Sequence, residues 1–185
     1  MAEKNIMHID IVIPFETKRR LGESMNKTME RLDEGDWCIF LDSDALMLTM
    51  HELWYSACID VIHKIGYEAG FVSCVTNRIG NQWQMAENPI DNDDIKCHFK
   101  FAHELWKKYG TEYITPSHGQ LLSGVFIMTH KRAWMDAGRF NDGWKVDNWY
   151  DKAIVKAGYK RVIMQGVYCY HIYKKKNEWM EELTK

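Results

Sequence analysis

Asp42 and Asp44 stand two positions apart in the stretch WCIFLDSDALML, directly after one apolar run and directly before another. Residues 37–41 have the composition of a buried strand, so the two carboxylates are delivered together at a strand end. Like charges in so small a volume repel, and one would tend to take up a proton. A hard divalent cation removes that conflict. Mn²⁺ or Mg²⁺ prefers oxygen ligands and completes its shell with substrate phosphates. The chemistry this spacing predicts is therefore a metal–diphosphate site. The plainer alternative is a solvated turn, where Asp and Ser are common. Against it stands the immediate return to apolar residues at Ala45.

Other elements must hold such a site in place. Residues 8–15 form a β-branched run ended by Pro14 and predict a buried strand. Leu21, Met25, Met29 and Leu32 share one helical face, and Gly35 can close that helix. Leu53, Ala57, Val61 and Ile65 mark a second helix over 50–66, and 70–77 reads as a strand. Residues 78–94 are polar and turn-rich. A helix over 95–110 follows, with Ile95, Phe99, Ala102, Leu105 and Trp106 expected inward. Strands are expected in 111–115 and 121–130, a short helix in 131–138, and another helix over 146–158. Residues 159–173 hold one or two strands. Alternating strands and helices argue an α/β fold with a mostly parallel central sheet flanked by helices. In such sheets ligands bind beyond the carboxyl ends of the strands, where Asp42 and Asp44 lie.

Composition limits the function classes. The chain has 185 residues, 46% hydrophobic and 13% aromatic, enough for one compact domain with a real core. Residues 1–173 read as that domain and 174–185 as a charged tail. The net charge of −2 gives no basic field to attract a nucleic acid polymer. Five scattered cysteines without a C-x-x-C pair fit a reducing compartment. No apolar run approaches the roughly 18 residues of a membrane span, and the N-terminus has no apolar leader. A soluble, cytoplasmic domain is the expectation.

In order, the pieces IVIPF, LGESMNKTMERLDEGDWCIFLDSD, LLSGVFIMTHKRAWMDAGRF and VDNWYDKAIVKAGYK resemble the GT-A fold nucleotide-sugar glycosyltransferases, in particular the family 2-like group. The resemblance spans about residues 9–171. It implies a Rossmann-like domain that moves a sugar from a nucleoside diphosphate sugar, UDP-sugar favoured, to a glycan or other hydroxyl acceptor with inversion. It implies Mn²⁺ or Mg²⁺ held by Asp44 and His171, with Asp42 on the metal or the ribose. Pro14, Phe15 and Glu16 match the segment that touches the base. Lys18, Arg19 and Arg20 match cations that reach the nucleotide, Arg20 being preferred. Asp147 matches the base that takes the acceptor proton, although Val146 precedes it where the family often has Glu; as a plain alternative, Asp147 caps its helix. Asp142 and Asp151 are further candidates for that role.

The same resemblance places Arg78 and Trp83 on the acceptor side, and Gly124, at the end of SHGQLLSG, could let the backbone approach the donor sugar. Aromatic and amide groups suit sugar faces and hydroxyls, and glycine permits close backbone approach. The plain alternative for 76–84 is a surface turn. Lys174, Lys175 and Lys176 could cover the diphosphate, or form a solvated face. The chain departs from the family between Pro14 and Asp42, where a single helix replaces a longer stretch with two further strand–helix pairs. A homo-oligomer is one way to restore the missing nucleotide surface. Two other functions stay open at this level. One is a non-catalytic nucleotide- or sugar-binding domain. The other is a haloacid-dehalogenase-like phosphatase in which Asp42 would attack phosphate, although no later acidic pair accompanies it.

Overall fold

The computed structural model describes residues 8–15, 20–88, 90, 92–117, 119–143 and 145–172. Its elements run β1 (Ile9–Val12), α1 (Leu21–Arg31), β2 (Trp37–Leu41), β3 (Ala45–Met47), α2 (His51–Ile65) and β4 (Ala69–Thr76). Then come α3 (Ile95–Tyr109), β5 (Tyr113–Ile114), β6 (Phe126–His130), α4 (Lys131–Asp136), α5 (Val146–Lys156) and β7 (Lys160–His171). Among the described residues, one seven-stranded sheet has the order β1-β2-β6-β4-β7-β3, with β5 also paired to β7.

The α/β class is as expected, but the sheet is mixed rather than mostly parallel. Among the described strands, only β1/β2 and β4/β7 are parallel. β6 runs antiparallel between β2 and β4, and β3 and β5 run antiparallel to β7. Fully buried runs such as FIMTH suggest parallel strands. Burial here comes instead from helices on both faces, which cover a strand whichever way it points. Residues 160–171 form one strand, with a register shift where Cys74 and Val75 of β4 face Met164 and Tyr168.

Alternation along the strands divides the core. Cys38, Phe40 and Phe71 pack with Met25, Met29, Trp134 and Tyr150 beneath α1, α3, α4 and α5. Trp37, Ile39, Val72 and Phe126 pack on the other face with Trp54, Ala57 and Val61 of α2. One inward position in α3 differs from expectation. Phe99 is 54% exposed, and His98 is buried in its place. His98 meets both its needs there: Nε2–H donates to the Asn92 carbonyl (2.8 Å), and Nδ1 accepts from the Tyr168 hydroxyl (2.7 Å). A satisfied polar ring can occupy a core position that apolar patterning assigns to its neighbour.

His130, at the end of β6, is fully buried. Its Nδ1 accepts the Ala133 N–H at the start of α4 (3.2 Å), and its Nε2–H donates to the Tyr67 carbonyl (3.2 Å). Burial pushes its pKa down from 6.5 to about 4. Between those values the unfolded chain binds a proton that the folded chain excludes. This stabilisation is therefore complete above pH 6.5 and is lost as pH falls through 4, by roughly 3 kcal/mol in all. Urea unfolding from pH 7 to 4.5 should show stability falling more steeply in the wild type than in His130→Asn, whose shorter amide can still cap α4. Parallel curves would show that His130 does not carry this pH dependence.

Candidate metal centre and adjoining cavity

β2 ends at Leu41, and the next residue is still tied to the sheet: the Asp42 N–H donates to the Val125 carbonyl (3.2 Å). The Ala45 N–H donates to the Asp42 carbonyl (3.1 Å), closing a tight turn through Ser43 and Asp44. The chain then enters β3, which pairs with the end of β7 so that Ala45 lies opposite His171. The Ile172 N–H donates to the Asp44 carbonyl (3.0 Å). This ribbon brings a histidine from the last strand to the two carboxylates.

His171 Nε2 lies 3.3 Å from Asp44 Oδ1 and 3.8 Å from Asp42 Oδ2. One ligand atom from each residue falls within 4.8 Å of the others. The His171 side chain is 7% exposed, that of Asp44 16% and that of Asp42 36%, so the cluster opens to solvent on the Asp42 side. On its far side the His171 ring donates Nδ1–H to the Arg78 carbonyl (2.9 Å). That bond fixes the tautomer and leaves Nε2 facing the carboxylates. Asn77 grips the His171 backbone in two places. Its Oδ1 accepts the His171 N–H (2.7 Å), and its Nδ2 donates to the His171 carbonyl (3.3 Å).

Burial opposes a charge on His171. The hydrogen bond to Asp44, the Arg78 carbonyl and the charges of Asp44 and Asp42 outweigh burial and raise its pKa. Protonated, the ring offers the carboxylates an Nε2–H. Deprotonated, the same nitrogen offers a lone pair for a shared cation. Two carboxylates and an oriented imidazole form a donor set that fits Mn²⁺ and accommodates Mg²⁺.

Asp42 also lines a cavity of about 580 Å³ whose walls include Pro14, Phe40, Gly124, Asp142, Lys145 and Asp147. Asp147 lies in the first turn of α5. Its Oδ2 accepts the Gly124 N–H (3.0 Å), and its Oδ1 accepts the Asn148 N–H (2.8 Å). A Cβ on residue 124 would lie 2.9 Å from the Asp147 Cβ. The glycine predicted to admit a sugar thus admits this carboxylate, while still lining the cavity. Asn26, the asparagine within the LGESMNKTMERLDEG piece of the resemblance, ties α1, whose Leu21 and Met25 line the cavity, to α4 and the residues after it. Its Oδ1 accepts from Trp134 Nε1–H (2.9 Å) and the Phe140 N–H (3.0 Å), and its Nδ2 donates to the Phe140 carbonyl (2.8 Å).

The structure therefore gathers Asp42, Asp44 and His171, and places Pro14, Gly124, Asp142 and Asp147 with Asp42 around one cavity. Other predicted residues lie elsewhere. Phe15 is 79% exposed, and its carbonyl accepts the Ser24 hydroxyl (3.2 Å). Arg20 is exposed and pairs with Glu23 (3.1 Å). The Arg78 guanidinium pairs with Asp93 (2.6 Å), so Arg78 serves the cluster through its carbonyl. Trp83 lines a separate cavity of about 430 Å³ with Phe101, Tyr109 and Gln165. Asp151 does not reach the 580 Å³ cavity. It is 1% exposed and paired with Arg161 (3.0 Å), which corrects its reading as a reserve base. Glu16, Lys18, Arg19 and Lys174–Lys176 lie outside the described residues.

Among the described residues, no helix is long and apolar enough to cross a membrane. In comparisons with known proteins, no family model matches the chain and no curated protein matches it.

Proposed function

We propose that this chain is a metal-dependent glycosyltransferase that moves a sugar from a nucleoside diphosphate sugar, UDP-sugar favoured, to a hydroxyl acceptor with inversion. The observation that carries this reading is the convergence of Asp42, Asp44 and His171 beside a cavity that also holds Asp147. His171 is distant from the Asp pair in sequence, and the β3–β7 ribbon serves to join them. A strand-end turn with no chemistry to perform does not require an oriented imidazole.

When bound, Mn²⁺ or Mg²⁺ supplies Lewis-acid neutralisation of the departing diphosphate. Asp42, Asp44 and His171 would hold it. Asp147 accepts the proton of the attacking hydroxyl. Each of its oxygens already receives one backbone N–H, which aims the carboxylate while leaving acceptor positions open. The acceptor oxygen forms its bond to the anomeric carbon as the bond to the diphosphate oxygen breaks. The bonding electrons leave with the diphosphate.

The test is a thermal-shift panel of UDP-, GDP-, CDP- and dTDP-sugars with and without Mn²⁺. Stabilisation by one donor class only in the presence of metal is the expected result. Absence of any metal-dependent shift would overturn the reading. Metal-dependent nucleotide binding with neither transfer nor hydrolysis would leave a binding domain in its place.

Asn77 gives a finer prediction. Its amide holds the His171 backbone rather than the ion, so Asn77→Ala should weaken Mn²⁺ binding about 10- to 100-fold by isothermal titration. Unchanged affinity would confine Asn77 to the fold.

A further inference from the structure

We infer that Lys145 is the residue in the 580 Å³ cavity that binds a phosphate oxygen of the anionic substrate. Lys145 is the one cationic side chain among the described residues lining that cavity. The ionisable groups around it are Asp42, Asp142 and Asp147, contributed by the turn after β2, the loop before α5 and α5 itself. Lys145 forms no ion pair among the described residues. Three carboxylates repel an anionic ligand. A cation shared by Asp42 and Asp44 would offset part of that charge, and Lys145 adds a positive side chain to the lining of the same cavity.

The backbone supports the same assignment. Lys145 has φ 65° and ψ 49°, the left-handed conformation, immediately before α5. Glycine takes that conformation without steric cost, whereas a side chain with a Cβ resists it. No side-chain capping bond at Lys145 accounts for a lysine here. A lysine in a conformation that glycine takes more easily places backbone strain in the lining of this cavity.

This inference rests on the diphosphate reading of the cavity and names the residue that reading lacks. The test is isothermal titration of Mn²⁺ with pyrophosphate, and with UDP, into the wild type, Lys145→Met, Lys145→Arg and Lys145→Gly. A Mn²⁺-only thermal shift is run on each. The wild type should bind Mn²⁺–pyrophosphate. Lys145→Met and Lys145→Gly should bind it about tenfold more weakly, and Lys145→Arg should retain most of the affinity. The Mn²⁺-only shift should be the same in all four proteins, and Lys145→Gly should melt no lower than the wild type. Binding by Lys145→Met and Lys145→Gly within about twofold of the wild type would overturn the assignment. So would loss of their Mn²⁺-only shift, which would place Lys145 in the support of the cluster instead. A wild type that binds Mn²⁺ but neither pyrophosphate nor UDP would remove the diphosphate reading, and this inference with it.

Discussion

Asp44→Ala is expected to reduce sugar transfer by about a thousandfold and to abolish the stabilisation that Mn²⁺ plus donor confers. Of the two carboxylates, Asp44 lies closer to His171 Nε2, at 3.3 Å, and is the more enclosed. Its loss leaves the cluster with one partly exposed carboxylate and an imidazole, too few anionic oxygens to hold Mg²⁺ or Mn²⁺ against water. Asp42 also lines the cavity, so replacing it would mix loss of metal with loss of substrate contact; Asp44 separates the two. The exposed Ser43 between them supplies the control, and Ser43→Ala should behave like the wild type. Transfer by Asp44→Ala at a rate near that of the wild type would show that the carboxylate pair does not perform the chemistry.

The second large effect is on stability. Arg161→Met should cost about 3–5 kcal/mol, a fall in Tm on the order of 10 °C for a chain of this size. Arg161 pairs with buried Asp151 and donates to the carbonyls of Gln120, Pro116 (3.4 Å) and Ser117 (3.0 Å). Asp151 Oδ1 in turn accepts the Leu122 N–H (3.1 Å). The pair therefore holds the segment that leads into Ser123 and Gly124, where Asp147 is anchored. Removing the guanidinium leaves a buried carboxylate without its counter-charge. Burial already raises the Asp151 pKa, with Arg161 and the Leu122 N–H opposing it. Without the arginine the group takes a proton more readily on folding, and the resulting stability is lost as pH rises. The Tm deficit of Arg161→Met should accordingly be smaller at pH 5 than at pH 8. Adding Asp151→Leu should recover part of the loss. A single variant that melts with the wild type would show that the pair does not support this segment.

These two predictions mark what could and could not be read from the residues. The Asp-x-Asp pair was evident because two charges interrupt an apolar run, a local signal. Helix faces such as Leu21, Met25 and Met29 were likewise local, and so was the α/β alternation. Strand direction was not, because an apolar run looks the same whichever way it enters a sheet; β6 is the case in point. The place of His171 came only from a resemblance, since its approach to Asp44 depends on β3 folding back along β7. Asn77 gives no signal beyond being polar at a strand end, and Asn26 enters only within a piece that carries the resemblance. Their worth lies in backbone partners from segments far along the chain. Helical spacing places Asp151 near Asp147 and so suggests an available acid. The side chain instead turns toward Arg161 on β7, a contact that no spacing rule reports. Lys145 carries no local signal either, because a left-handed backbone at a lysine has no sequence signature.

The claim on which the rest depends is that one divalent ion sits between the Asp42, Asp44 and His171 side chains. Pulsed electron paramagnetic resonance of Mn²⁺ added to the full chain tests it most directly. A single bound Mn²⁺ per chain is expected, showing modulation from a directly coordinated imidazole nitrogen that disappears in His171→Gln. Bound manganese without that nitrogen, or no bound manganese at all, would contradict the account.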